Sequence, residues 1–283
     1  MRTRKIITNS AVHILLAVLS VIWLLPIAFI ILTSLRGETG AEKTYIIPQQ
    51  FTLSNYTNLF ASTGTLNYGR WFANTFVVAV CTCLLSSFFV LCVAYVMSRL
   101  RFKMRKPLMN VALVLGMFPG FMSMIAIYYI MKGFGLLNTG ETKLFSLILV
   151  YSGAAGLGFY ITKGFFDTVS NALDEAAFLD GCTKWQVFTR IIMPISRPIV
   201  VYTMITSFMA PWTDFIFARV ILGQDRDYYT IAIGLWSMLE KEYINTYYTR
   251  FFAGCVLISI PIAALFVLTQ RFYAESMAGA VKG

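Results

Sequence analysis

The chain has 283 residues, of which 58% are hydrophobic and only 13% charged, against about 25% charged in soluble domains, and this excludes a water-soluble globular fold. A mean hydropathy of +0.71 points instead to an all-α polytopic membrane protein, with residues 1–283 forming one bundle. The net charge of +10 is compatible with nucleic acid, but no basic run adjoins a nucleic-acid-binding motif and the cations flank apolar runs, so membrane topology accounts for them and no nucleic acid is expected.

About 20 apolar residues in a helix cross the hydrocarbon, and six stretches qualify: 11–35, 71–98, 108–131, 144–166, 199–222 and 251–272. Arg2, Arg4 and Lys5 precede the first. Its apolar run exceeds the roughly 7–15 residues of a signal-peptide core and no small-residue cleavage site follows, so it reads as a retained span. His13 at its start suits an interfacial residue. Pro26, Pro119, Pro211 and Pro261 fall inside spans and predict kinks. Gly116 and Gly120 form a GxxxG pair. With the patch Gly153, Ala154, Ala155, Gly156 and Gly158, they suit close helix approach or a substrate path. Cys81, Cys83, Cys92 and Cys255 lie in spans and Cys182 in a loop, with no spacing for zinc and no expected disulfide.

Most of the 23 Lys and Arg residues fall on one side of this arrangement, including the run Arg99, Arg101, Lys103, Arg105 and Lys106 after the second span. By the positive-inside rule that side is cytoplasmic, with both termini on it. The opposite loops, 37–70 and 223–250, are rich in Tyr and Trp. They suit an interfacial belt or contact with a folded partner. Asp214 and Arg219 are the main ionisable residues inside a span; five positions apart they are poorly placed to pair on a helix.

The polar island 170–198 joins the fourth and fifth spans on the cytoplasmic side. Leu173, Ala176 and Ala177 at i, i+3 and i+4 make one small face, with Asp174, Glu175 and Asp180 beside it. Gly181 stops that helix. Thr183 and Gln186 have capping-box spacing, and a second short helix comes next over about 184–192, with Trp185, Phe188, Ile191 and Ile192 on one side and Pro194 and Pro198 ending it. The pattern alone fits two readings equally: a close-approach docking site for another protein, or a linker resting on the bilayer or on the chain's own helices.

Glu175-Ala176-Ala177, Gly181, Ile191 and Met193-Pro194 stand at the spacing of the EAA motif, and in it the chain resembles the membrane subunits of bacterial ATP-binding-cassette importers. Met193 replaces the usual Leu and Cys182 the frequent Ala. Pro48-Gln49-Gln50-Phe51-Thr52-Leu53-Ser54-Asn55-Tyr56, Ala94-Tyr95 and the terminal Gly279-Ala280-Val281-Lys282-Gly283 are similar to segments of carbohydrate permeases, the last to the second permease of maltose and maltodextrin importers. The resemblance implies a type I permease of the bacterial plasma membrane with a cytoplasmic coupling loop at 167–198. It implies partners as well: a second, different permease, two cytosolic ATP-binding subunits and an extracellular substrate-binding protein, with lipid around the spans and an oligosaccharide carried between them. Leu173, Asp174, Glu175, Ala176, Ala177, Asp180, Gly181, Ile191 and Pro194 would then face an ATPase subunit. Glu175 and Asp180 would supply polar contacts, Ala176 and Ala177 close approach, and Gly181 the turn.

The chain lacks GxxxxGK[ST], GxSxG, HExxH and CxxC motifs, so no catalysis, metal or bound cofactor is expected of it, and ATP is expected on the partner subunits. The pattern singles out no substrate-contacting residue. A non-transporting scaffold or receptor, and an importer permease for another small solute, remain alternatives. An ion-coupled carrier is disfavoured by the scarcity of buried charge.

Overall fold

The computed structural model describes residues 2–42, 45–61, 66–117, 120–154 and 158–280, without the side chains of residues 2–11, 154 and 271–280. Its regular structure is helical, and an isolated bridge pairs Arg36 with Phe51. Four helical stretches are long and apolar enough to cross a membrane, or six if two bent pairs each count as one span.

The chain forms two compact units, Met1–Tyr68 with Gly234–Ile260, and Gly69–Ile233 with Pro261–Gly283. To the first belong α1 (Arg2–Ser34) and α2 (Ser54–Phe60). Along 12–29 no described side chain of α1 is buried, and Trp23 is 76% exposed; a helix apolar all round needs hydrocarbon or another protein about it. Asn55, near the start of α2, ties three parts of this unit together. Its amide donates to the carbonyls of Ser34 and Arg36 (2.9 and 2.7 Å), and its oxygen accepts from Thr249 (2.9 Å). The carbonyls that α1 leaves unsatisfied at its end thereby find a side-chain donor.

In the second unit α3 (Tyr68–Arg99) runs from its second residue onward without a break. The predicted third span is instead two helices, α4 (Arg105–Gly116) and α5 (Gly120–Gly133), bent by 102°. The break brackets Pro119, which lies outside the described residues. Gly116 and Gly120 flank this bend, and both are exposed. The fourth span is α6 (Gly140–Ala154) and α7 (Gly158–Thr168); Ala155 and Gly156 of the small-residue patch lie outside the described residues.

The island holds α8 (Asn171–Leu179), α9 (Lys184–Gln186), a π-helical turn Val187–Ile192 and α10 (Met193–Ile195). An 86° bend then leads into α11 (Arg197–Thr213). The predicted fifth span also proves discontinuous, because α11 stops at Thr213 and α12 (Ile216–Leu222) starts anew. Asp214 is the cause. Its backbone is extended (ψ 117°), and its carboxylate accepts from the backbone N–H of Phe217 and Ala218 (both 3.2 Å), capping α12 from within the apolar stretch. Tyr151 donates a third hydrogen bond to it at 2.6 Å. An intramembrane carboxylate is tolerable when its lone pairs are filled in this way. Arg219 is occupied elsewhere, on the Tyr229 hydroxyl (2.5 Å) and Gln224 (3.0 Å).

A strap after α12 lies along the start of α3. Trp71 donates to the Arg226 carbonyl (2.8 Å), Asn74 to those of Asp227 and Tyr229 (3.0 and 3.2 Å), and the N–H of Ile231 to Thr75 (2.7 Å). Tyr228 of this strap bonds Glu141, with the Arg70 guanidinium over its ring at 5.2 Å. Gly140 is required there, since a Cβ would sit 2.0 Å from the Tyr228 ring. The helices α13 (Ile231–Met238) and α14 (Ile244–Ala280) complete the chain, and α14 runs through Pro261 as one helix.

Candidate functional site

The island is built by local rules that fix its shape before any partner is considered. Ser170 caps α8 by accepting from the N–H of Ala172 (3.3 Å). At the other end the N–H of Cys182 reaches the Ala177 carbonyl (2.9 Å) and that of Gly181 the Phe178 carbonyl (3.1 Å), with Gly181 at φ +81°. This pair of bonds is a Schellman closure, and it needs a left-handed residue at Gly181. Two residues later the expected capping box is in place. Thr183 N–H donates to Gln186 Oε1 at 2.7 Å, and Gln186 N–H donates to Thr183 Oγ1 at 3.3 Å.

Beyond the capping box the backbone departs from the regular helix expected over 184–192. Met193 N–H bonds the Phe188 carbonyl, five residues back, and the wider turn places Val187, Phe188 and Ile192 inward while leaving Trp185 61% exposed. Pro194 does not end the helix, which continues to Ile195.

The inner face of the island joins a core of Val90, Leu91, Ala94, Tyr95, Phe159 and Phe166. Ala177 (5% exposed), Val187, Phe188 and Ile192 pack into it. Tyr95 packs against Phe188, the rings tilted with centroids 4.7 Å apart, and its hydroxyl donates to the Lys184 carbonyl (3.1 Å).

Arg99 carries the polar half of this junction. Its guanidinium donates to the carbonyls of Phe166 and Val169 at the end of α7 (both 2.8 Å), bonds the Asn171 side-chain oxygen, and lies 3.5 Å from Asp174 Oδ2. Only 3% of the side chain is exposed. One cation at the end of α3 thus holds α7 and α8 together, and satisfies carbonyls that α7 leaves open. Asp174 Oδ1 has no hydrogen-bond partner. Burial pushes the Asp174 carboxyl above the ordinary carboxylate range, Arg99 opposes the shift and Glu175 adds to it.

The predicted site residues therefore divide between two faces. Asp174 and Ala177 face the chain's own core, and Ile191 is half-buried against it. That corrects the expectation that Ala177 offers close approach to another protein: α8 turns Ala177 inward to meet α3 and the π-helical turn, and Ala176 outward. Leu173, Glu175, Ala176, Asp180 and Gly181 are exposed together, and Pro194 is exposed on α10. Phe178 and Leu179, the latter 89% exposed, join this outer face without having been anticipated. Arg99 was missed as well, having been read only as a topology charge. A guanidinium one turn beyond Tyr95, on a helix still apolar around it, was the available signal.

Residues 90–278 match the family described as binding-protein-dependent transport system inner membrane component. The chain belongs to this family. It is a multi-pass inner-membrane transport subunit, and the island on α8 and the π-helical turn lies within the matched segment. A galactooligosaccharide transport permease, GanQ of Bacillus subtilis, is 32% identical across 100% of this chain and 99% of its own length. The maltodextrin permease MalD of Streptococcus pneumoniae is 28% identical over 100% and 98%, and the maltose/maltodextrin permease MalG of Yersinia pestis 30% over 96% and 92%. Among solved structures, a bacterial ABC transporter involved in alginate import superposes with a TM-score of 0.76 over 94% of this chain and 96% of that one, at 19% identity. The fold is therefore that of an importer permease.

Proposed function

We propose that this chain is one of two different permeases in an ATP-driven importer of hexose oligosaccharides, maltodextrins or galactooligosaccharides being the nearest chemistry. The observation that carries the reading is end-to-end similarity to permeases named for those two sugar classes, on a fold shared with an alginate importer. An extracellular binding protein would deliver the sugar, and two cytosolic subunits would bind and hydrolyse ATP, no cofactor being held by this chain. The termini and the island would lie on the cytosolic side, as the excess of Lys and Arg there supports.

The stroke of the ATP-hydrolysing subunit is received on the outer face of α8. Leu173, Ala176 and Leu179 offer exposed apolar contact, Glu175 and Asp180 a charged rim, and the inner face is already locked to α3 and α7. A face that is apolar and exposed at a rigid corner is what a partner groove needs. Nucleotide acts through a difference in how two conformations of the ATPase hold this corner, not through chemistry in the permease.

Reconstituting all subunits in liposomes and following ATP-dependent uptake of labelled maltotriose and galactotriose tests the transport reading; uptake of neither removes it. For the docking face the informative change is Ala176→Trp. It should leave the permease inserted and folded while abolishing co-purification of the ATPase and uptake together, and retention of the ATPase by that variant would reject the assignment.

A further inference from the structure

A groove of about 180 Å³ runs between the last two turns of α3 and the second half of the island. Cys92, Val96 and Leu100 recur every fourth residue along α3 and so share the face that forms one wall. Trp185 and Phe188 form the other. Phe188 is buried and packs on Tyr95, which also lines the space. The walls are apolar, and no carboxylate lines them among the described residues. An apolar, half-open space below the roughly 300 Å³ of sites for drug-sized ligands suits a section of hydrocarbon chain rather than a folded polar solute.

The rim has the opposite character. Lys184 stands at the edge of the groove and is exposed. Among the described residues the ion pairs are Arg99 with Asp174 and Lys163 with Asp167, and neither uses it. A lysine can lay its stem along apolar surface while the ammonium stays outside. Trp185 next to it is 61% exposed, the placement of a ring at the boundary of hydrocarbon and water. From Leu100 in the groove wall the chain continues as Arg101-Phe102-Lys103-Met104, all four exposed. Cations thus alternate with apolar side chains just where the spanning stretch of α3, Tyr68–Arg99, ends. An apolar slot with cations at its mouth, set at the end of a span, matches the two halves of a phospholipid whose headgroup carries net negative charge. A zwitterionic headgroup would leave that positive charge unmatched.

We propose that this groove seats an acyl chain of an anionic phospholipid whose phosphate lies against Lys184, so that a lipid is wedged between the end of α3 and the island. The proposal takes from the reading above only the cytosolic side of the island, and is independent of the sugar carried. Its test uses the complete importer in phosphatidylcholine vesicles of the same composition in both leaflets, with a trace of phosphatidylglycerol bearing a diazirine in its acyl chain. After irradiation, labelling is read by mass spectrometry on the peptides carrying residues 92–100 and 184–188. Phosphatidylglycerol should label both several-fold more than phosphatidylcholine bearing the same chain. Lys184→Gln should lower that labelling about fivefold, the worth of one basic residue at an anionic surface, and Lys184→Arg should preserve it. Cys92→Phe, which fills the groove, should lower labelling by either lipid. Equal labelling by the two lipids, or labelling by phosphatidylglycerol that Lys184→Gln leaves unchanged, overturns the proposal. Labelling that appears only when the ATP-binding subunits are left out overturns it too, since the groove is then a protein contact. Reaction of Leu179→Cys with an impermeant thiol reagent reports the side separately: an exterior position rejects the orientation and leaves the labelling result standing.

Discussion

Arg99 and Asp174 face each other across the inner surface of the island, yet their substitution should have opposite consequences. Removing Arg99 as Arg99→Met frees the carbonyls of Phe166 and Val169 and leaves a buried carboxylate without its cation, which should cost about 3 kcal/mol. Asp174 is raised above the usual carboxylate range by burial, against the pull of Arg99. Whatever stability it adds is complete below the unfolded value of about 3.9 and is lost as pH rises through its folded value. At neutral pH the ionised group strains the fold, so Asp174→Asn should unfold no lower than wild type, and Arg99→Met should recover part of its loss on acidification. Thermal unfolding of purified permease at pH 5 and pH 7.5 checks both. At Gly181 the space for a Cβ is open and only the positive φ resists it. Gly181→Ala should accordingly cost about 1 kcal/mol from backbone alone, with Gly181→Asn milder, since Asn tolerates that region better.

At the level of single elements, what could be read in the sequence was whatever is decided within a few residues. The Gly181 turn and the Thr183–Gln186 box depend on no distant neighbour, and both are present. The face of α8 was another matter. Spacing grouped Leu173, Ala176 and Ala177, but which side turns inward depends on α3 and the π-helical turn, far away in sequence or irregular in form. The division of the fifth span at Asp214 was hidden for a similar reason, because the helix break depends on a side chain that caps the next helix rather than continuing the last. Asp214→Ala should therefore fray α12 and release Tyr151, costing about 1–2 kcal/mol, visible as faster hydrogen exchange at Phe217 and Ala218. Gly140→Ala should push aside the Tyr228 ring and loosen the strap over α3. Protease nicking in the segment 223–230 should rise while α8 stays protected.

For the molecule as a whole, hydropathy located the spans well, since α1, α3, α6 with α7, and α14 overlap the predicted segments. The orientation proposed from the charge bias of the loops makes a direct prediction. A membrane-impermeant thiol reagent should reach Leu179→Cys, 89% exposed, only from the cytosolic side of sealed vesicles, and Asp227→Cys only from the other. Charge counting at this scale assigns Arg99 to topology alone, because its partners lie 67 to 75 positions further along the chain.

That single guanidinium has a mechanical corollary. Since the inner ends of α3 and α7 and the start of α8 share one clasp, a tug on the outer surface of α8 displaces two membrane-crossing segments in concert rather than bending a flexible arm. Paired spin labels on α8 and at the base of α3 should keep a constant separation whether nucleotide is present or absent, while labels across the mouth of the pathway move apart.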